Sequence, residues 1–305
     1  MSAPIEVSKL TKSFGRHRGI EDVSFAVQRG EVFGFLGPNG AGKSTTIRLI
    51  LGLNRPTRGR VRVLGHDPGA DPVAVHRSVG YLPGELALFS RMTGRQHIDW
   101  LARGRGITDL ALRDELADRF SAELDRPVHT LSKGNRQKIG LILAFFHHPD
   151  LLVLDEPTSG LDPLLQDEFD HLLRETVAEG RTVFLSSHEL DEVQRAADRV
   201  AIVKDGRLVL VDTVAGLHSG APRTVEFQFN RAVDSGVFAG LSGVQVISNR
   251  DRRTRLTLTG PVGPLLRAAA DLDPVDMTAR PADLDELFLR YYRQAAAGTG
   301  EGDAR

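Results

Sequence analysis

The chain has 305 residues, room for one large domain plus a smaller appendage, and 41% of them are hydrophobic, enough for a substantial core. A formal net charge of -1 at pH 7 excludes a strongly basic nucleic-acid binder and an acidic solvating tail, so no nucleic-acid partner is expected. Cysteine is absent, which excludes disulfides and thiolate metal sites and fits a reducing compartment.

The opening MSAPIEVSKL carries neither a basic leader nor an apolar run, so no secretory signal is expected. Short β-branched runs at Ile5–Ser8, Val23–Val27 and Val32–Leu36 predict strands. The third runs into Gly37-Pro38-Asn39-Gly40-Ala41-Gly42-Lys43-Ser44-Thr45, and helical periodicity follows over Lys43–Leu53. Further strands are predicted at Gly59–Leu64 and Val79–Leu82, and helices at Gln96–Ala102, Leu110–Phe120 and Lys133–Phe146. The apolar core of that last helix, from Ile139, is the longest such run and far too short to span a bilayer. Leu151–Leu154, Thr182–Ser186 and Arg199–Val203 predict strands, alternating with helices over Pro163–Ala178 and Leu190–Ala197. Continuous apolar strands such as LLVL and TVFLS belong to a parallel sheet covered on both faces, so the class is α/β with a mostly parallel central sheet.

The composition shifts near Ser219-Gly220-Ala221-Pro222, which reads as a linker between a domain at 1–220 and a small one at 221–294. In the second, strands are expected at Thr224–Phe229, Val244–Ser248, Arg255–Thr259 and near Val275. Helices are expected near Val233–Leu241, at Pro264–Ala270 and at Asp283–Tyr292. The order β-α-β-β-α-β suggests a ferredoxin-like α+β domain, and the stretch 295–305 reads as a disordered tail. Arg250, Arg252, Arg253 and Arg255 read as a solvated turn, with a phosphate-binding patch as the sharper alternative. His97, His147 and His148 have no motif around them and read as surface or helix-face residues.

Residues 37–45 match G-x-x-x-x-G-K-[ST] in the required setting, after a strand and opening a helix. Glycines there let backbone N–H groups curl round a phosphate, and the helix N-terminus adds the positive end of its dipole. Lys43 reaches the β- and γ-phosphates, and the Ser44 hydroxyl is suited to Mg²⁺. The strand Leu151–Leu154 ends in Asp155 and Glu156, carboxylates suited to holding the metal and to polarising an attacking water as general base, respectively.

Leu131-Ser132-Lys133-Gly134-Asn135-Arg136-Gln137 resembles the signature of the ATP-binding cassette (ABC) family, usually LSGGQ. Ser159-Gly160-Leu161-Asp162 resembles its D-loop, Ser186-Ser187-His188 its switch-histidine motif, and Gly80-Tyr81-Leu82-Pro83 the lead-in to its Q-loop. Phe14 stands where the family keeps an aromatic to stack on adenine. The motifs follow the family's order and spacing over about residues 4 to 215.

The resemblance implies a P-loop NTPase cassette with a helical subdomain around Arg91–Phe120, acting as the ATPase subunit of a transporter. ATP and Mg²⁺ are the implied ligands. Two copies are expected to pair head-to-tail, each nucleotide lying between one phosphate loop and the other chain's Ser132, Lys133, Gly134 and Asn135. Asp162 is expected to communicate between the two sites, and His188 to contact the γ-phosphate. A permease on a separate chain would hold the cassette at the cytoplasmic face of the membrane. The signature, SGLDP and Asp285-Glu286-Leu287-Phe288-Leu289 resemble bacterial drug- and antibiotic-exporter cassettes. The rival class is a soluble ABC ATPase of translation or DNA repair. Two cassettes or long heptad arms would mark it, and neither is present in this sequence. The chain departs from the family at Lys133, which replaces a glycine, and at Gly84, which stands at the usual glutamine. Either Glu85 moves in there, or backbone and water substitute.

Overall fold

The computed structural model describes residues 2–15, 17–220 and 222–280. The expected helix Asp283–Tyr292, the segment Asp285–Leu289 and the tail 295–305 lie outside the described residues. The chain divides into two compact units, Met1–Val211 and Asp212–Arg305.

The first unit is built on a six-stranded sheet. Its strands are β3 (Val32–Leu36), β5 (Val79–Leu82), β6 (Leu151–Asp155), β7 (Thr182–Ser187), β8 (Arg199–Lys204) and β9 (Arg207–Thr213), in the order β5-β6-β7-β3-β8-β9. The first five are parallel. Every residue of β3, β6 and β7 is buried, which is why these strands read as unbroken apolar runs. β9 was not expected. It returns through Asp205–Gly206, both at positive φ (49° and 76°), the geometry of a two-residue hairpin turn.

β1 (Ile5–Phe14), β2 (His17–Val27) and β4 (Arg58–Val63) do not join this sheet. They form a separate antiparallel one in the order β2-β1-β4. Its alternation explains the difference: in β4, Val61 and Val63 are buried while Arg58, Arg60 and Arg62 face water. Between the two sheets, Phe25, Phe33, Phe35 and Phe184 pack with ring centroids 5.4–6.1 Å apart. On the other face of the central sheet lie α3 (Gly94–Arg105), α5 (Lys133–Phe145) and α6 (Pro163–Ala178), burying Ile98, Ile139 and Phe169 against Leu152, Leu154 and Leu185.

Two of the histidines read as surface or helix-face residues are not on the open surface. His97 is buried, its Nε2 accepting from the Phe89 N–H at 2.9 Å and its Nδ1 donating to the Thr93 carbonyl at 2.8 Å. His147 is driven down to a pKa of about 4, first by burial and then by the charge of Arg105.

The parallel strands position the site through their register. Leu82 of β5 pairs with Leu154 of β6, Asp155 with Ser186 of β7, and Ser187 with Leu36 of β3. The carboxyl ends of four neighbouring strands therefore form one row. Whatever follows them must converge there, which is the general location of sites in open parallel sheets.

In the second unit, β10 (Arg223–Phe229), α9 (Gly236–Ala239), β11 (Val244–Arg250), β12 (Arg253–Leu258), α10 (Gly263–Ala270) and β13 (Pro274–Arg280) follow α8 (Val214–Gly220). The sheet is antiparallel in the order β11-β12-β10-β13. Phe227, Phe229, Phe238, Leu256, Leu258 and Leu265 form its core. Arg252 lies in the β11–β12 turn with φ 67°, while Arg253 and Arg255 both reach Glu226 at 3.6 Å.

Candidate active site

β3 leads into the glycine-rich loop, and α1 (Lys43–Ile50) leaves it. The turn requires glycine at position 42: φ is 103°, and an added Cβ would stand 2.6 Å from Ile20 Cγ2. Ala41 is buried inside the loop, its N–H donating to the Pro38 carbonyl at 3.1 Å, whereas Pro38, Asn39 and Gly40 form its exposed crest. The Lys43 ammonium folds under that crest. It donates to the Gly37 carbonyl at 2.7 Å and lies 3.3 Å from Glu156 Oε1.

Asp155 ends β6 and is gripped by two hydroxyls. Ser44 Oγ donates to its Oδ2 at 3.0 Å, and Ser186 Oγ donates to its Oδ1. Glu156, one residue on, has φ 52°, a left-handed conformation uncommon outside glycine. Its second carboxylate oxygen accepts from His188 Nδ1 at 2.7 Å. The ends of β3, β6 and β7 thus bring Lys43, Glu156 and His188 into one contiguous set. Lys43 and Glu156 line a cavity of about 560 Å³ together with Phe14, Asn39, Ser44, Thr45 and Asp155, and His188 adjoins it through its bond to Glu156. Phe14 is 46% exposed, and Lys12 Nζ lies 5.1 Å from its ring centroid.

The segment after β5 also reaches this cavity. A Cβ at Gly84 would stand 3.1 Å from Asp155 Oδ2, so the backbone there lies directly against the carboxylate. Glu85 lines the same cavity, with its side chain exposed and making no hydrogen bond or ion pair among the described residues. Tyr81 and Arg48 line it too; from the sequence Tyr81 was read only as part of the Gly80–Pro83 motif, and Arg48 was not singled out. Their signals were weak: a tyrosine inside a strand and an arginine on a helix are ordinary surface chemistry.

The remaining motif residues take local structural positions. Ser132 is exposed and caps α5 by accepting from the Asn135 N–H at 3.1 Å. Asp162 caps α6 in the same way through Leu165 N–H, also at 3.1 Å. Lys133 Nζ donates to Ser159 Oγ at 3.0 Å, and a Cβ at Gly134 would stand 2.6 Å from the Gly160 carbonyl. Asn135 departs from the expected outward position. It is 6% exposed, and its amide bonds the backbone N–H and carbonyl of Glu123 at 2.9 and 3.0 Å. Its place in a helical turn turns it inward, so that of the four residues expected to meet a partner Ser132 and Lys133 are exposed and Gly134 half-buried.

Chemically, the site combines a phosphate-sized nest of backbone donors, a cation, a carboxylate bonded to two hydroxyls, and a second carboxylate flanked by a cation and an imidazole. The first carboxylate and the Ser44 hydroxyl are hard oxygen donors within hydrogen-bond distance of each other, which fits Mg²⁺ completed by phosphate and water oxygens. Among the described residues no group of three or more His, Cys, Asp or Glu side chains able to hold a metal ion occurs.

Comparison with known proteins gives a consistent result. Residues 20–159 match the family model described as ABC transporter. The bacitracin transport ATP-binding protein BcrA of Bacillus licheniformis is 34% identical over 239 residues, covering 76% of this chain and 78% of that protein. The daunorubicin/doxorubicin resistance ATP-binding protein DrrA of Streptomyces peucetius is 32% identical over 300 residues, covering 93% of this chain and 91% of that one. A solved structure of an ATP-binding subunit of an ABC transporter superposes with a TM-score of 0.64 at 32% identity, over 70% of this chain and 91% of that one.

Proposed function

The chain belongs to the family of ABC transporter ATP-binding subunits, and on that premise we propose that it hydrolyses ATP to drive a separate membrane permease exporting a drug, antibiotic or lipid-like compound. The observation that carries the catalytic part is the position of Glu156, held between Lys43 at 3.3 Å and His188 at 2.7 Å at the mouth of the phosphate loop. Backbone N–H groups of the loop that are not already bonded within it bind the phosphates, and Phe14 offers its exposed face to the base. Ser44 and Asp155 hold Mg²⁺, which when bound neutralises phosphate charge. Glu156 takes the proton of a water as its oxygen bonds the γ-phosphorus. The bond from that phosphorus to the β–γ bridging oxygen breaks, and ADP leaves with Lys43 against the charge. His188 orients the carboxylate and faces the transferred phosphoryl group.

A second copy of the chain supplies Ser132 and the N-terminus of α5 to the γ-phosphate, so the working unit is a head-to-tail homodimer. The permease supplies the membrane contact and holds the cassette at the cytoplasmic face. Among the described residues, no helix is long and apolar enough to cross a membrane. A groove of about 390 Å³ suits its docking: Phe89 and Trp100, each 64% exposed, meet edge to face at its wall, with Leu86 and Leu101 beside them. Leu86 directly follows Glu85, which links groove and nucleotide cavity within one segment. The drug-exporter assignment is supported by the two relatives, the second of which aligns through the C-terminal unit. We read that unit as ferredoxin-like from its element order and strand order.

The test is Glu156→Gln. ATP binding is expected to persist while phosphate release falls by about a hundredfold or more, and Mg-ATP is expected to trap a dimer on size exclusion. Normal turnover would remove the general base, and a persistent monomer would remove the homodimer.

A further inference from the structure

The conformation of Glu156 has to be held from outside. A non-glycine residue at φ 52° persists only where neighbouring groups over-determine it. The turn after β6 is buried at Pro157 and Thr158, so its carbonyls need partners inside the protein. Two of them share one donor. Gln137 Nε2 donates to the Glu156 carbonyl at 3.2 Å and to the Pro157 carbonyl at 2.8 Å. Gln137 is 7% exposed and its amide carries two N–H groups, one for each oxygen.

We propose that Gln137 is a positioning residue for the reaction, fixing the backbone of Glu156 so that its carboxylate lies between Lys43 and His188. The inference rests on the reading of Glu156 as general base. Its logic is geometric: a side chain that starts from a left-handed Cα has its direction set by the two flanking peptide planes; the Glu156 N–H donates to the Ser186 carbonyl at 3.1 Å and holds the preceding plane, and Gln137 bonds the carbonyl of the following one and of the peptide after it. The same helix carries Ser132 at its N-cap, and Lys133 Nζ bonds Ser159 Oγ at 3.0 Å in the continuation of the turn. The turn and the first part of α5 are therefore one braced piece, with Gln137 as the brace nearest the reacting group.

The test uses the full chain. Gln137→Met keeps side-chain length and removes both N–H groups. ATP affinity, measured by direct binding, is expected to stay within about twofold, whereas single-turnover hydrolysis of labelled ATP falls on the order of tenfold. In a Glu156→Gln background the same substitution is expected to cause no further loss, because the group it positions is already gone. An unchanged rate in the single variant, or an equal fractional loss in both backgrounds, overturns the proposal. Gln137→Asn keeps the amide but withdraws it by one methylene; it is run in parallel and decides by the same criteria if the Met variant does not fold. Normal turnover by Glu156→Gln alone would instead overturn the general-base reading, an outcome that the Gln137 variants do not imitate.

Discussion

The two units of this chain handle the ends of their strands in opposite ways. In the first, parallel strands put four carboxyl ends side by side, and Lys43, Ser44, Asp155, Glu156 and His188 sit on that row or at the start of the helix leaving it. In the second, neighbouring strands are antiparallel, so loops alternate between the two edges and no row forms. Its arginines illustrate the result. Arg253 and Arg255 share the carboxylate of Glu226, and with Ser248, Arg250 and Asp251 they line an open cavity of about 400 Å³ by the β11–β12 turn instead of a row of strand ends. Parallel topology assembles a site, whereas the antiparallel unit offers surfaces.

The sharpest way to break this comparison is through the second unit's core. Phe227 is fully buried and packs on Phe229 and Phe238 with centroids 6.1 Å away. Phe227→Ala is expected to cost that unit about 3–5 kcal/mol. Hydrogen exchange should accelerate across 223–280 while 32–36 and 151–155 keep their protection, and ATP turnover should hold. A parallel loss of turnover would mean that the second unit contributes to the chemistry.

Lys43→Ala acts on the first unit alone. It removes the buried ammonium that bonds the loop carbonyl and faces Glu156. Nucleotide affinity is expected to drop by about a hundredfold, the cost of losing charge-assisted contacts to phosphate. Isothermal titration with Mg-ATP reads it, and undiminished affinity would dissolve the phosphate-loop assignment.

A smaller effect is expected at Glu192, on α7 (Leu190–Ala196), which is 2% exposed and accepts from Thr158 Oγ1 at 2.9 Å. Burial pushes its carboxyl up to about 7, against hydrogen bonds from Ser187 and Thr158, with the charges of Glu156 and Glu189 adding to the rise. The folded chain thus keeps a proton that the unfolded chain has released between pH 4.5 and about 7, so this group's contribution to stability falls as pH rises through that window. Glu192→Gln should remove the slope, giving a higher urea midpoint than the wild type at pH 8 and a similar one at pH 5. Identical pH profiles would show that Glu192 is already ionised in the fold.

The phosphate loop, the acidic pair and the buried strands were legible because each is local: glycine spacing, a continuous apolar run, a motif at the strand end. The Asp205–Gly206 turn was also legible as a hairpin signal between two apolar runs, yet half-buried β9 beyond it was passed over. The separate sheet β2-β1-β4 was not legible, because β4 joins the neighbouring strands β1 and β2 from far along the chain. The same holds for the braces of the site. Gln137 reaches Pro157 across 20 residues and Thr158 reaches Glu192 across 34, and a glutamine or a glutamate on a helix announces neither. Asn135 belongs with these: a motif letter suggests an outward role, and only the helix's packing turns it inward.

The row of strand ends acts as a gauge. Gly84, Glu156, His188 and Gly37 follow four adjacent strands, so their spacing is set by three ladder intervals of about 4.8 Å rather than by any side chain's choice of rotamer. Such a gauge does not loosen by degrees. Warming can blur the exposed loop crest, but the separation between base, imidazole and phosphate nest stays fixed until the ladders part. Thermal inactivation of this protein should therefore coincide with melting of its central sheet instead of preceding it, and heat-adapted relatives would be sought in stronger packing around β3, β6 and β7 before any change among the catalytic groups.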